Sequence, residues 1–461
     1  MAALEKVLER IDDNQEQALA RLFQLLAIKS VSTDPAYTDD CVKAGQFLVD
    51  QLQELGFEAG LRPTAGHPIV VGKAKAARPD VPHVLFYGHY DVQPADPLEL
   101  WQTPPFEPRL AEPEPSHKII VARGATDDKG QLMTFVEACR AFKETGDFPC
   151  NITILFEGEE ESGSPSLPGF LAENKAELKA DLALICDTGM WDRKTPAITT
   201  MLRGLVLEEV VIHGATRDLH SGMFGGAVVN PIHVLSKIIA DLHDAEGHVT
   251  LPEFYEGVTE LPKDVAKQWR ELPFDEHHFL KDVGVSIPVG EKDRSVLEMI
   301  WSRPTCDVNG IIGGYTGKGS KTVLPAQASA KFSFRLVGQQ KPEKVAESFR
   351  AFVLERLPAD CKAEFISHGA SPALQLPFSS EVLSRARRAL QAEWGKEAVL
   401  AGSGGSIPIV GAFKQDLGMD SLMVGFGLDD DRAHSPNEKY ELSSFHKGTR
   451  SWARILNALA L

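Results

Sequence analysis

The stretch Val81–Val92 reads VPHVLFYGHYDV, an apolar and aromatic run that predicts a strand breaking near Gly88, with polar side chains at its end. NITILFEGEEESG (151–163) predicts another strand that runs into an acidic loop, and DLALICD (181–187) predicts a third. Short apolar strands of this kind, alternating with helices, predict an α/β domain whose central sheet is mostly parallel and buried. Ligands of such a sheet bind beyond the carboxyl ends of its strands.

Helical patterns surround these strands. The first 30 residues predict one amphipathic helix, and residues 40–56 predict a second. A third helical pattern, Lys129–Glu144, lies between the first two predicted strands, and SSEVLSRARRALQAEWG (379–395) predicts a late one. The helices and strands therefore alternate, as an α/β domain requires.

The middle of the chain has a different pattern. Strand, helix, strand, strand, helix and strand follow one another if the segment between 245 and 305 is set aside, which predicts a ferredoxin-like α+β domain. The segments concerned are LVLEEVVIHGA (205–215), residues 230–244, residues 321–338, residues 342–357 and CKAEFISHG (361–369). We therefore predict a domain at 204–374 that interrupts a first domain made of 1–203 and 375–461.

Composition restricts the classes of function. The chain has 461 residues, enough for two or three domains, and its 43% hydrophobic and 25% charged residues are typical of globular proteins. The formal net charge of −17 argues against a nucleic-acid binder and against docking on an anionic membrane, because both need a basic face. The charge does not reveal the substrate, since local patches can oppose the net charge.

Cysteines and the N-terminus indicate the compartment. No two cysteines form a CxxC pair, so we expect buried thiols in a reducing compartment, and any metal would be held by His, Asp and Glu. The cysteines are at 41, 139, 150, 186, 306 and 361. The N-terminal segment lacks the apolar core of a signal peptide, and no run approaches the ~20 apolar residues of a membrane span. We expect a soluble, cytoplasmic protein.

Histidines and carboxylates accumulate where the predicted strands end. Each of these residues alone has an ordinary reading as a turn, cap or solvated side chain. Together, two histidines and three carboxylates can hold two divalent ions, with one carboxylate bridging, and this arrangement is typical of a two-metal hydrolase. The candidates are His89, Asp91, Asp127, Asp128, Glu159, Glu160, Glu161, Asp187 and His434.

Several multi-residue motifs then occur in one order along nearly the whole chain. They are GHYDVQP, RGATDDKG, EGEEESGS, DLHSGMFGG, KTVLP, KFSFRL, GGSIP and AHSPNEK. In these motifs the chain resembles the M20 family of metallopeptidases, and within it the branch of cytosolic nonspecific and carnosine dipeptidases. The resemblance implies a di-metal catalytic domain interrupted by a ferredoxin-like lid and dimerisation domain.

The resemblance also implies roles for the candidate residues. One ion would be held by His89 and Asp187, the other by Glu161 and His434, and Asp127 would bridge them. Asp91 would orient the His89 imidazole, as carboxylates beside ligating histidines commonly do.

The general base is implied by the position of the Ser-Gly pair at 162–163. The family places the base and the neighbouring ligand immediately before this pair. Glu160 is therefore the predicted base, and Glu159 would be an ordinary loop residue.

Substrate contacts are implied in and around the inserted domain. His220 of the partner subunit would stabilise the oxyanion across a homodimer interface, and Arg335 would bind the free carboxylate of the peptide. Thr322 and Ser406 match further substrate contacts. Asn309 departs from the branch, which often has His there. Residues 248–300 contain no motif that we can assign, and they could build lid or dimer surface or set side-chain preference.

The leading hypothesis is metal-dependent hydrolysis of dipeptides with a free C-terminal carboxylate. Zinc suits the His and carboxylate ligands, and so do manganese and cobalt. An N-acyl or N-carbamoyl amino acid amidohydrolase of the same family would share the metal core and is the alternative. A metal-binding scaffold without catalysis is the third hypothesis.

Overall fold

The computed structural model of the chain describes residues 2–405 and 407–461 and divides into two compact units. Unit 1 comprises residues 1–200, 376–401 and 412–461, and unit 2 comprises residues 201–375 and 402–411. The division at 200/201 and 375/376 falls close to the predicted limits. The segment 402–411 differs from the prediction, which placed all of 375–461 with the first domain. Its local contacts explain the difference, because the backbone N–H of Arg203 donates to the Ser403 carbonyl oxygen.

The helices account for both termini and for the covering layers of each unit. They are α1 (Ala2–Asp13), α2 (Gln15–Leu26), α3 (Thr38–Glu54), α4 (Lys129–Thr145), α5 (Leu167–Glu173), α6 (Lys175–Leu178), α7 (Ser221–Phe224), α8 (Pro231–Ala240), α9 (Lys263–Glu271), α10 (Glu276–Asp282), α11 (Val296–Trp301), α12 (Pro342–Glu355), α13 (Glu381–Trp394), α14 (Pro408–Asp416) and α15 (Leu442–Leu459).

The strands fall into sheets that belong mainly to one unit or the other. They are β1 (Glu58–Arg62), β2 (Ile69–Ala74), β3 (His83–His89), β4 (Arg109–Glu114), β5 (His117–Val121), β6 (Asn151–Glu157), β7 (Leu182–Ile185), β8 (Ala197–Leu202), β9 (Gly204–His213), β10 (Leu219–His220), β11 (Thr305–Gly313), β12 (Val323–Leu324), β13 (Gln327–Leu336), β14 (Lys362–Ser371), β15 (Leu374–Gln375), β16 (Val399–Ser403), β17 (Ser421–Met423) and β18 (Lys439–Glu441).

The main sheet of unit 1 is mixed. Its strands run in the order β1-β2-β6-β3-β7-β17-β8, β16 also pairs with β8, and β6, β3, β7 and β17 are joined by parallel pairs. β1, β2 and β8 pair antiparallel with their neighbours. The expectation of a mostly parallel sheet is therefore correct only for the centre. The central strands are apolar on both faces, as burial under helices requires. The direction of the outer strands depends on their connections, which the apolar pattern does not reveal.

An aromatic cluster fastens the helices of unit 1 to this sheet. Phe86 of β3 stacks on Phe135 of α4 with ring centroids 3.7 Å apart. Trp452 of α15 meets both rings edge-on, at 5.4 and 5.6 Å. The three rings are fully buried, so each removes a large apolar area from water.

The N-terminal prediction needs a correction. The structure has two helices, α1 and α2, where the periodicity predicted one amphipathic helix over the first 30 residues. The chain leaves the regular helix only at Asn14, whose N–H still contacts the carbonyl oxygens of Arg10 and Ile11. A break this small leaves the apolar spacing almost unchanged, which is why the pattern does not show it.

Unit 2 contains a four-stranded antiparallel sheet in the order β11-β13-β9-β14. When α7, α9, α10, α11 and the two-residue strands β10 and β12 are set aside, the elements run β9, α8, β11, β13, α12 and β14, which is the order of a ferredoxin-like plan. Residues of β9 and β13 alternate between buried and partly exposed, so one face packs on α8 and α12. The other face presents Lys331, Ser333 and Arg335, as their alternation in the sequence predicts.

The cysteines agree with the sequence-based expectation of free thiols. All six are free and buried. Burial raises the pKa of Cys41 to about 12, so this thiol is protonated and unreactive near neutral pH. None of the helices in the described residues combines the length and the apolar character needed to cross a bilayer.

One buried carboxyl group predicts a pH effect on stability. Glu157 ends β6 and accepts a hydrogen bond from the Tyr87 hydroxyl at 2.6 Å. Burial raises the pKa of Glu157 from 4.5 to about 7. A raised carboxyl pKa favours the folded state below the unfolded pKa, and this contribution is lost as pH rises from about 4.5 to about 7. The loss is worth about 3 kcal/mol, and Glu157→Gln cannot ionise, so it should escape this loss.

Urea unfolding at about pH 4.5 and at about pH 8 measures the effect. The quantity compared is the unfolding free energy of Glu157→Gln minus that of the parent chain. We expect this difference to be about 3 kcal/mol larger at the higher pH than at the lower. Glu173→Gln, at an exposed position on α5, is the matched control and should show no such rise. A difference that stays flat with pH for Glu157→Gln would contradict the assignment.

Candidate active site

The parallel centre of the sheet places several polar side chains at one edge. His89 is the last residue of β3, Asp187 follows β7 by two residues, and Glu160 and Glu161 lie in a 3₁₀ turn after β6. Because β6, β3 and β7 are parallel neighbours, their carboxyl ends meet at this edge. Two loops of unit 1 add the remaining candidates, Asp127 two residues before α4 and His434 before β18.

Two groups of potential metal ligands share one carboxylate. His89, Asp127 and Asp187 form the first group, and Asp127, Glu161 and His434 form the second. Within each group, one ligand atom from each residue lies within 4.8 Å of the others. Ligand atoms about 2.0–2.2 Å from a common ion must lie within about 4.4 Å of one another, so only a small contraction is needed. The structure thus brings together the five predicted ligands.

Asp127 uses a different oxygen for each group. Its Oδ1 lies 3.1 Å from His89 Nε2, and its Oδ2 lies 2.9 Å from His434 Nε2. His89 Nε2 is also 3.9 Å from Asp187 Oδ2, and His434 Nε2 is 3.2 Å from Glu161 Oε2. One carboxylate that faces two imidazoles through its two oxygens has the arrangement of a bridging ligand. The donor set of two imidazoles and three carboxylates fits two divalent ions.

The charges of this cluster also suit cations. Burial raises the pKa of Asp187, and the nearby Asp127 carboxylate adds to the rise. Burial alone would raise the pKa of Asp127, but its hydrogen bonds with His434 and His89 lower it well below its usual range. Hydrogen bonds to Asp127 and Glu161 raise the pKa of His434 to about 10. In the absence of ions, a proton on His434 therefore offsets part of the negative charge of the cluster. A bound cation would offset that charge instead and displace the proton.

Asp91 orients both a ligand and the acidic turn. It is fully buried, and His89 Nδ1 lies 3.1 Å from its backbone carbonyl oxygen and 3.4 Å from its Oδ1. The same carboxylate accepts the backbone N–H groups of Glu160 and Glu161, at 3.2 and 3.0 Å. Both oxygens accept from the far nitrogen of the imidazole and fix its tautomer, and the two backbone contacts fix the turn that carries the predicted base.

The acidic run separates into three different environments. Glu161 belongs to a ligand group, and Gln93 Nε2 donates to its Oε2 at 2.9 Å. Glu160 belongs to neither ligand group, is partly exposed, and has its pKa raised by burial. Glu159 was expected to be an ordinary loop residue, but it is buried and accepts the N–H groups of His67 and Ser166, at 3.0 and 3.2 Å. Glu159 therefore holds the turn in place, which the sequence reasoning missed.

Glu438 is a further positioning residue that the sequence reasoning missed. It is fully buried, and its Oε1 accepts the N–H groups of Thr126 and Asp127 at 2.9 and 3.1 Å. Its Oε2 accepts from the Gly124 N–H at 2.9 Å and from Arg123 Nη1 at 2.7 Å. One carboxylate thus fixes the loop that carries the shared ligand. The only available signal was its place in the AHSPNEK motif beside His434.

The candidates in unit 2 form two separate groups. His220 and Thr322 are neighbours, because β10 pairs with β12 and the Ser221 N–H donates to the Thr322 carbonyl oxygen at 3.0 Å. Arg335 lies elsewhere, on β13, beside a cavity that Asn309 also lines. Asn309 is the extra residue of a bulge between Val308 and Gly310, which accounts for its place at this cavity. Ser406 lies outside the described residues.

Known proteins match this chain along nearly its whole length. The sequence matches the peptidase family M20/M25/M40 over residues 85–458. It is 31% identical to the Cys-Gly metallodipeptidase DUG1 of Candida albicans over 475 residues, covering 98% of this chain and 97% of that protein. It is 28% identical to human Beta-Ala-His dipeptidase over 478 residues, covering 100% and 93% of the two chains.

A solved structure agrees. The M20 family metallo-carboxypeptidase Sso-CP2 from Sulfolobus solfataricus superposes with a TM-score of 0.76 at 31% identity, covering 96% of this chain and 99% of that one. These matches, together with the ligand groups at the sheet edge, show that the chain belongs to peptidase family M20/M25/M40.

Proposed function

We propose that this chain is a metallodipeptidase that hydrolyses dipeptides with a free C-terminal carboxylate. The observation that carries the proposal is the pair of ligand groups that share Asp127 through different oxygens. Glu160, held beside them by Asp91, belongs to neither group, so its carboxylate is available for proton transfer. Relatives over the full length of the chain are named as a Cys-Gly metallodipeptidase and a Beta-Ala-His dipeptidase, which supports dipeptides as the substrate class.

Glu160 is the proposed residue for proton transfer. Divalent ions at the two ligand groups would lower the pKa of a water molecule and polarise the scissile carbonyl group. Glu160 accepts the proton of the attacking water and later donates it to the leaving amine. The raised pKa of Glu160, caused mainly by burial, brings its proton affinity closer to that needed for both steps near neutral pH.

Substrate contacts come from residues of unit 2. Arg335 binds the terminal carboxylate through its planar guanidinium group. His220 of the partner subunit donates a hydrogen bond to the developing oxyanion. The tautomer suits this role, because His220 Nδ1 accepts the Gly222 N–H at 3.0 Å, which places the ring proton on the exposed Nε2. Thr322 and Ser406 are further proposed contacts.

The assembly and the metal are also part of the proposal. We propose a cytoplasmic homodimer formed through the ferredoxin-like sheet of unit 2, which acts as a lid and dimerisation domain. Zinc is the preferred ion, with manganese or cobalt as alternatives, because imidazole and carboxylate ligands suit all three. The exposed position of His220 supports the dimer, since a residue that serves a partner's site must be accessible on its own subunit.

A substrate panel tests the proposal. Metal-stripped protein is supplied with zinc or manganese and offered Ala-Leu, Cys-Gly and β-Ala-His beside N-acetyl-leucine and N-carbamoyl-leucine. We expect hydrolysis of dipeptides at a kcat/KM at least about tenfold above that of the N-acyl compounds. Faster cleavage of the N-acyl or N-carbamoyl compounds would favour the amidohydrolase alternative. Bound metal with no hydrolysis of any compound would favour the scaffold.

A further inference from the structure

A cavity in unit 2 combines two positive side chains with an apolar wall. It has a volume of about 870 Å³, within the range of small-molecule sites. Arg203 and Arg335 line it, and neither guanidinium has a carboxylate within ion-pair distance in the described part of the chain. Arg203 was not a candidate in the sequence. Burial, together with the neighbouring charge of Arg335, lowers the pKa of Arg203 to about 10.

Arg203 is held so that it faces the cavity with donors to spare. Its Nε donates to the Gly404 carbonyl oxygen at 3.2 Å, and its Nη1 donates to the Met299 carbonyl oxygen at 3.4 Å. A guanidinium has five N–H donors, so three remain once the two bonds that Arg203 makes within the described residues are counted. The glycine-rich loop packs closely on this side chain, since a Cβ at Gly404 would lie 3.0 Å from Arg203 Nη2.

The charged side chains that line the cavity carry a net positive charge. Arg303 is paired with Glu291, with Nε–Oε2 at 2.5 Å and Nη2–Oε1 at 3.2 Å. The remaining charged side chains are Arg203, Arg335 and Asp307, which is exposed and accepts a hydrogen bond from the Thr305 hydroxyl at 3.1 Å. With His243 counted as neutral, one positive charge is unbalanced. The cavity therefore suits a ligand with a single negative charge.

The rest of the lining is largely apolar. These side chains come from α10, α11 and the segment between them, the region of the sequence without a motif. They are Phe279, Leu280, Pro288, Val289, Met299 and Ile300. Val289 is 91% exposed and Phe279 is 42% exposed, so a ligand that covers them removes apolar surface from water.

We propose that Arg203 joins Arg335 in binding the terminal carboxylate of the substrate, and that this apolar wall selects dipeptides with an apolar C-terminal residue. The inference rests on the proposed dipeptidase function and names its substrate class. A monoanionic carboxylate balances the surplus charge, whereas a C-terminal Asp or Glu adds a second negative charge with no partner. A C-terminal Lys places an ammonium group against the apolar wall and the guanidinium pair.

Kinetics with peptides that share an N-terminal alanine test the apolar wall. We expect kcat/KM for Ala-Leu to exceed that for Ala-Asp and Ala-Lys by at least about tenfold. Val289→Asp should lower kcat/KM for Ala-Leu about tenfold, mostly through KM. Val283→Asp is the matched control, a valine of the same segment that is 74% exposed and lies outside the cavity lining, and it should stay within about twofold. Equal effects of the two variants would overturn the role of the wall.

The binding role of Arg203 is tested by a measurement that a purely structural role would not change. The ratio of kcat/KM for Ala-Leu to that for Ala-Leu-amide, which lacks the carboxylate, measures carboxylate binding. Arg203→Gln should lower this ratio about tenfold or more, since it removes a charged hydrogen-bond partner. A ratio that stays at the parent value, with both substrates slowed alike, would overturn the assignment.

Binding separates this inference from the proposed function. Calorimetry on metal-loaded Glu160→Gln protein measures the affinity for Ala-Leu, Ala-Asp and Ala-Lys without turnover. Tighter binding of Ala-Leu by about tenfold supports the cavity assignment, and equal binding overturns it. Absence of dipeptide hydrolysis by the parent enzyme, with the binding preference intact, would instead refute the proposed function alone.

Discussion

Replacing Glu160 by glutamine should lower kcat for Ala-Leu by at least about a thousandfold while both metal ions stay bound. Glutamine keeps the size of the side chain but can neither accept nor donate the proton in the way a carboxyl group does. Metal retention is expected because Glu160 belongs to neither ligand group. The measurements are steady-state kinetics and metal content per chain on the same preparation. A variant that turns over near the parent rate would show that the base is another residue.

Glu159→Gln is the matched control for this prediction. The two glutamates are adjacent, but the carboxylate of Glu159 is committed to the backbone N–H groups of His67 and Ser166. Its replacement should lower the unfolding free energy by about 1–3 kcal/mol, because the amide cannot accept both bonds. Its turnover should stay within about threefold of the parent rate. The two variants thus distinguish the loss of a proton acceptor from the loss of hydrogen bonds that hold the same turn in place.

Asp127→Ala should abolish hydrolysis by removing both ions. Its Oδ1 faces His89 and its Oδ2 faces His434, so one substitution takes a ligand from each group. Loss of a partner that only orients a ligand costs about 10–100-fold in metal affinity, and loss of the ligand itself should cost more than about 100-fold at each position. The loop should keep its shape, because the backbone N–H at position 127 still donates to Glu438.

Asp187→Ala is the contrasting variant. Asp187 belongs only to the group of His89, so this substitution should weaken one ion and leave the other. Metal analysis after equilibrium dialysis should then find about one ion per chain for Asp187→Ala and none for Asp127→Ala at the same free zinc concentration. Equal losses in the two variants would contradict a bridging role for Asp127.

The centre of the fold could be predicted because its signals are local. β3, β6, β7 and α4 are uninterrupted apolar or periodic segments bounded by polar residues, and the structure places them where the pattern indicates. The antiparallel outer strands and the break at Asn14 could not be predicted. Strand direction depends on connections, and the break at Asn14 scarcely alters the apolar spacing.

The five ligands were predictable because they stand in motifs or follow a predicted strand. The roles of Glu438, although it stands in AHSPNEK, and of Arg203 were not, because they arise from contacts between distant parts of the chain. Glu438 receives hydrogen bonds from residues more than 300 positions earlier, and Arg203 is held by a carbonyl oxygen 201 positions later. A buried carboxylate and a surface carboxylate look alike in a sequence. Only the folded chain shows which one collects backbone N–H groups.

A metal titration of the parent chain tests the two-ion site most directly. Chelator-treated protein is titrated with zinc while bound ions are counted and Ala-Leu hydrolysis is followed. We expect no hydrolysis in the metal-free protein and full hydrolysis when two ions are bound per chain. Hydrolysis that persists in metal-free protein, or that reaches its maximum with no ion bound at the His89, Asp127 and Asp187 group, would contradict this expectation.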